Sequence, residues 1–185
     1  MIRCKACGYI MKEGKLGDKC PACGAPKTAF EPYKDLMAEP RRRILDLQLH
    51  PISVHFPIAL TVAAFVFILG ATFLRGDAQN LVISTAKVLV IFIPLVVLLA
   101  FAVGWVDGKT RFRKIGNSRI LKTKLVYACL LFVVSLALAA VVWMGAFAAV
   151  AMTLLALLLN AAALVLVFLL GLLGTSVMGA AFPGK

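Results

Sequence analysis

Four long apolar runs occupy most of this 185-residue chain beyond residue 50, and runs of that length leave few folds open. They extend from Ile52 to Leu74, from about Val88 to Val106 with a softer start near Leu81, from Leu125 to Met144 and from Phe147 to Leu173. Crossing a hydrocarbon core takes ~20 helical residues, which each run supplies. Only Gly145 and Ala146 separate the last two. A single helix through both would measure ~70 Å, more than twice a bilayer, so a tight hairpin is predicted there. The expected fold is an all-α membrane protein: a four-transmembrane-helix bundle over residues 50–185, with spans near 52–74, 81–106, 122–144 and 147–173. A hydrophobic content of 62% and a mean hydropathy of +0.98 exclude an ordinary soluble enzyme.

Charge gives the expected orientation. The chain carries 20 Lys and Arg against 8 Asp and Glu, for a net +12. Arg41, Arg42 and Arg43 precede the first span, and Lys109, Arg111, Arg113, Lys114, Arg119, Lys122 and Lys124 fill the loop after the second with no acid among them. In the next loop out, Arg75 and Asp77 cancel, and the last hairpin is uncharged. Positive-inside logic therefore predicts a multi-pass protein of the bacterial or archaeal cytoplasmic membrane, with the N-terminal segment, the basic loop and the C-terminal Lys185 all cytoplasmic. Cations between apolar runs point to anionic membrane lipid as the contact and give no support to a nucleic-acid partner.

The polar N-terminus reads as a domain over residues 1–35 and a juxtamembrane linker over 36–49. Residues 1–10 lack the apolar stretch and cleavage site of a signal peptide. Cys4 and Cys7 in CKACGYI and Cys20 and Cys23 in CPACGAP form two C-x-x-C pairs with twelve residues between them. Two such turns facing each other offer four thiolates in a tetrahedron, suited to zinc or to one iron. Gly8 and Gly24 follow the second cysteine of each pair, letting the backbone curl so that amide N–H groups can point at sulfur. A domain of this size falls below the ~40 residues at which a chain usually needs a metal, disulfides or association to hold together, so metal binding is expected to be part of its folding.

The stretch CKACGYI…CPACGAPKTAFEPY resembles the short rubredoxin domain at the end of rubrerythrins over residues 2–33, including Tyr9, Pro21, Pro26, Lys27, Phe30 and Glu31. The resemblance implies a mononuclear FeS4 centre that carries one electron at a time, with Cys4, Cys7, Cys20 and Cys23 as ligands. It favours iron over a structural zinc ribbon, whose role would be to recruit a partner from a membrane anchor without redox chemistry.

Both histidines of the chain lie in LHPISVHFPIAL, where the first span leaves the polar side. Pro51 suits the first turn of a helix and places His55 about one turn inside, and Pro57 removes another backbone donor just above. A histidine at hydrocarbon depth is expensive without a partner, which makes His50 and His55 candidate ligands, and a b-type haem is the economical membrane cofactor. Five residues rotate a helix by ~140° net, so one regular helix cannot present both imidazoles to opposite sides of one iron. Either each histidine serves a different haem, or a homodimer pairs His50 of one chain with His55 of the other, the arrangement expected here. The same run is similar to the opening of an uncharacterised bacterial four-helix membrane domain beginning H-P-x-x-V-H-F-P-I-A-L, which is sometimes joined to cytochrome modules. Over residues 49–60 the resemblance implies redox company.

Other polar residues are few. Cys129 is expected to pack, Asn160 to hydrogen-bond a neighbouring helix, Lys87 to snorkel, and Trp105 with Asp107 to mark the inner interface. No hydrolytic or nucleotide-binding motif is present, and no catalytic residue is assigned. The sequence thus predicts a membrane-bound electron-transfer protein, taking electrons from a soluble cytoplasmic donor and passing them through haem b to oxygen, superoxide or a quinone as an oxidoreductase would.

Overall fold

The computed structural model describes residues 1–34, 38–111 and 119–178. Arg113 and Lys114 of the basic loop, Leu36 and Met37 of the linker, and Lys185 lie outside the described residues.

The first 34 residues fold around a three-stranded antiparallel sheet. Strand β1 (Ile2–Cys4) sits between β2 (Ile10–Met11) and β3 (Phe30–Pro32), with Ile2 opposite Met11 on one side and Pro32 on the other. So small a sheet buries little apolar surface: Ile2, Cys4 and Cys20 are its buried apolar residues. Its cohesion must come from the cysteine turns that β1 and β2 frame.

Six α-helices follow among the described residues: α1 (Glu39–Asp46), α2 (Leu49–Ser53), α3 (His55–Phe73), α4 (Gly76–Arg111), α5 (Arg119–Trp143) and α6 (Val150–Met178). The last four are long and apolar enough to cross a membrane, which marks a multi-pass membrane protein. Packing runs α3 to α4, α4 to α5, α5 to α6 and α6 back to α3, closing an up-and-down four-helix bundle. The usual inside-outside pattern is relaxed, as lipid permits. Leu158 in the middle of α6 is 68% exposed and Phe168 65%, while Ala64, Ala86, Ala156 and Ala163 are fully buried. Small residues at the axis let helix backbones approach closely where no hydrophobic force drives them together.

Polar residues inside the bundle are satisfied locally. Thr61 Oγ1 donates to Pro57 O at 2.6 Å and Ser135 Oγ to Phe132 O at 2.7 Å. Asn160 reaches across to α3: with its amide oriented by its neighbours, it donates to Thr61 O at 3.2 Å and accepts from Phe65 N at 2.8 Å. The expected bond to a neighbouring helix is therefore present, and it enters the backbone ladder of α3 between residues four apart.

Two local features depart from the sequence reading. The connection between α5 and α6 covers residues 144–149, wider than Gly145 and Ala146 alone, so Phe147 lies in the turn. Gly145 takes φ +110°, and Thr153 Oγ1 ties α6 back to Ala146 O at 2.6 Å, which holds the reversal. The linker is also partly helical. Arg41 of α1 donates from Nε to Thr110 O at 2.9 Å, clamping α1 to the end of α4.

Candidate metal centre

Each cysteine pair sits on a turn of the same design. Gly8 N donates to Cys4 O at 2.8 Å and Cys4 N to Tyr9 O at 2.8 Å. In the second turn Gly24 N donates to Cys20 O at 2.9 Å and Cys20 N to Ala25 O at 2.7 Å. Gly8 and Gly24 have φ of +76° and +74°, the left-handed conformation that a Cβ disfavours, so each glycine closes its turn at no steric cost. The Lys19–Pro26 bridge repeats around the second pair what the β1–β2 hairpin does around the first.

The two turns bring four thiols together, with every pair of Sγ atoms within 4.8 Å. Cys4 to Cys23 and Cys7 to Cys20 both measure 3.8 Å. A tetrahedral ion with metal–sulfur bonds of about 2.3 Å has edges of about 3.8 Å, so the thiols already stand where such an ion needs them. Cys4 and Cys20 are buried, Cys7 is half-buried and Cys23 is exposed. The Cys23 edge is thus where the site meets solvent.

Backbone amides set the charge distribution. At Cys7 the Tyr9 N–H draws the thiol down, but burial and the thiols of Cys23, Cys4 and Cys20 outweigh it and push the pKa up to about 12. Burial also acts upward on Cys20; there the N–H groups of Cys23 and Ala22, with the Cys23 and Cys7 thiols, prevail and bring it down to about 7. Of Cys7 and Cys20, it is therefore Cys20 that gives up its proton first, under two amide donors. N–H groups aimed at sulfur stabilise negative charge on the site, as anticipated from the two glycines. On the sheet beside it, the Arg3 guanidinium bonds Glu31 Oε1 from Nε at 3.1 Å and holds that carboxyl below its usual range.

Residues 3–31 match the family model for the rubrerythrin rubredoxin-like domain. This rubredoxin-like segment thus carries a four-cysteine site of the kind that binds iron or zinc. Comparison with the curated proteins and with the solved structures gave no match. The membrane helices and LHPISVHFPIAL lie outside the matched residues.

The two histidines occupy different surroundings. His50, in α2, is half-buried against α4, with Nδ1 3.2 Å from Ala100 O. Its ring fills the space above Gly104 so closely that a Cβ there would lie 2.7 Å from Cε1. His55 opens α3 on the outside of the bundle, with Nδ1 2.6 Å from Pro51 O. A single turn residue, Val54, separates α2 from α3; it keeps helical angles (φ −69°, ψ −18°) and its N–H still bonds His50 O at 3.1 Å, so the two histidines follow a nearly continuous helical path. Cys129 is exposed on α5, remote in sequence from the thiol cluster. Lys87 places its ammonium 5.8 Å from the Trp143 ring centre, and Lys109 lies 5.1 Å from that of Trp105. Nothing in the local pattern around Gly104 marks it, since its constraint is a side chain more than fifty residues away.

Proposed function

We propose that the chain is a membrane-bound electron carrier. Cys4, Cys7, Cys20 and Cys23 would hold an iron, which would supply the one-electron chemistry that links a soluble cytoplasmic donor to a redox site at the membrane. The observation that carries this reading is the preformed thiol tetrahedron, with 3.8 Å edges and backbone amides directed at Cys7 and Cys20. The protein's part is to fix the four sulfurs, offset their charge with N–H dipoles and leave the Cys23 edge open to a partner.

At the membrane side, His50 and His55 would hold a b-type haem, paired between the protomers of a homodimer. Each imidazole has its Nδ1 at a backbone carbonyl, the arrangement by which proteins commonly fix a ligand histidine's tautomer and orientation. The cytoplasmic orientation is supported by the bundle's topology. It brings Arg41, Lys109, Arg119, Lys122 and Lys124 to one end, beside the rubredoxin-like segment. Oxygen, superoxide or a quinone would be the acceptor.

The test is a visible spectrum of the purified full chain with metal analysis, before and after dithionite. A red protein with one iron per chain that bleaches on reduction, together with a Soret band lost in His55→Ala, is the expected result. A colourless chain containing zinc and no porphyrin overturns the reading and leaves a zinc-ribbon binding module on a membrane anchor.

A further inference from the structure

Charge in the rubredoxin-like segment is unevenly matched. Seven basic and three acidic side chains lie in residues 1–34, an excess of four. Each acid already stands between two bases. Glu31 accepts from Arg3 Nε at 3.1 Å and lies in the field of Lys5, and Glu13 opens the short helical turn Glu13–Lys15 between Lys12 and Lys15. Asp18 precedes Lys19, and its backbone carbonyl accepts from Lys27 N at 3.0 Å. The positive sign therefore survives whichever of these pairs form. A metal ion under four thiolates lowers the excess by at most about two charges and does not reverse it.

Three of the lysines belong to the cysteine turns. Lys5 lies between Cys4 and Cys7, Lys19 directly before Cys20, and Lys27 just beyond the Lys19–Pro26 bridge that closes the second turn; all three are exposed. In the same two turns the site opens to solvent at Cys23, with Pro21 and Ala22 exposed beside it and Tyr9 exposed next to the first turn. The result is a small apolar window over the sulfurs, with ammonium groups in the turns that frame it. Attachment to the membrane domain is at the other end of the sheet. Tyr33 N donates to Met1 O at 2.8 Å, and Arg42 of α1 has Nη1 4.0 Å from Met1 Sδ. Strand β1 runs from that end to Cys4, so the cysteine turns lie opposite the α1 contact.

These features select an occupant. Redox partners form transient complexes with footprints below about 1,200 Å², which suits a window of a few residues. Complementary charge speeds such encounters toward about 10⁸–10⁹ M⁻¹s⁻¹ at low salt, and like charge suppresses wrong partners. We propose that the Cys23 face is the docking surface for a soluble electron-donor protein that presents acidic side chains around its own redox group. The inference rests on the electron-carrier reading above and names the donor's chemistry. One electron leaves the reduced donor and is taken up at the thiolate site; no bond is made or broken and no proton moves.

The experiment uses the full chain in nanodiscs of neutral lipid, with a flavodoxin, a small acidic flavoprotein, as probe. Biolayer interferometry reads binding of the oxidised probe, and stopped-flow absorbance reads electron transfer from its hydroquinone. Binding and transfer should both weaken as salt rises. The combined Lys5→Gln, Lys19→Gln and Lys27→Gln variant should bind about tenfold more weakly while keeping its metal content and circular dichroism. Arg119→Gln with Lys122→Gln, at the basic end of the bundle, should bind as the parent does. In the parent protein, the probe should shield Lys5, Lys19 and Lys27 from acetylation. Absent or salt-independent binding, a loss confined to the bundle variant, or no shielding of those lysines overturns the face. So does their shielding by anionic lipid without probe, which would lay the segment on the membrane. Salt-sensitive binding weakened by the triple variant in a colourless zinc protein would support the face and sink the electron-carrier reading. A red iron protein reduced by the probe at a rate that ignores salt and the three lysines would do the reverse.

Discussion

Replacing Gly104 by Ala should expose how firmly α2 is keyed into α4. A methyl at this position would lie 2.7 Å from His50 Cε1 and 2.8 Å from Nδ1, well inside van der Waals contact, so the imidazole must swing away. Overpacking of this kind costs ~1–3 kcal/mol. Loss of the bond to Ala100 O adds ~0.5–1.5 kcal/mol. Against this, Ala is better than Gly inside a helix by ~0.8–1.0 kcal/mol. The net expectation is a loss of roughly 0.5–3.5 kcal/mol. Removing the imbalance at its source reverses the sign: in a His50→Ala background the collision is gone, and Gly104→Ala should stabilise by up to ~1 kcal/mol. The four proteins form a double-mutant cycle with a coupling energy of ~2 kcal/mol, within the range for residues in contact. Unfolding by sodium dodecyl sulfate in mixed micelles, followed by far-ultraviolet circular dichroism, measures each corner. A coupling below ~0.5 kcal/mol, the scatter seen for independent sites, would refute the keyed packing of His50 on Gly104.

Gly24→Ala forces a side chain into φ +74° and should cost ~1–2 kcal/mol in the rubredoxin-like segment, read as faster loss of metal to a chelator; an unchanged rate would show that the turn relaxes freely. Asn160→Leu removes both amide contacts to α3 and should destabilise the bundle by ~0.6–2 kcal/mol in the same micelle assay. Metal loading should strengthen as pH rises through about 7, where Cys20 deprotonates, and continue to release protons above it because Cys7 holds its proton to about 12. A pH-independent affinity measured in a competing-chelator titration would contradict that order. Cys20→Ser should abolish stoichiometric metal, whereas Cys129→Ser, outside the cluster, should leave metal content unchanged.

The metal centre was legible because its information is local. A C-x-x-C-G turn dictates its own geometry wherever the chain goes, so the clustering of the four cysteines and the turn-closing role of Gly8 and Gly24 could be read residue by residue. The helix count was equally open, since lipid demands long apolar runs of each segment separately. The width of the last reversal was less so: Gly145 signalled the turn, but the anchoring of α6 to Ala146 O by Thr153 extended it to residue 149.

Composition and spacing by themselves therefore determined a thiolate metal site attached to a four-helix membrane domain, since both depend on residues near one another in the chain. Tertiary structure alone decided that Asn160 bonds into α3, that His50 rests on Gly104, and that Ile44, Leu49 and Asp107 share one cavity. These are meetings between helices. Which faces meet depends on how small residues such as Ala64, Ala86, Ala156 and Ala163 set the distance between neighbours, and no single segment's periodicity records that choice.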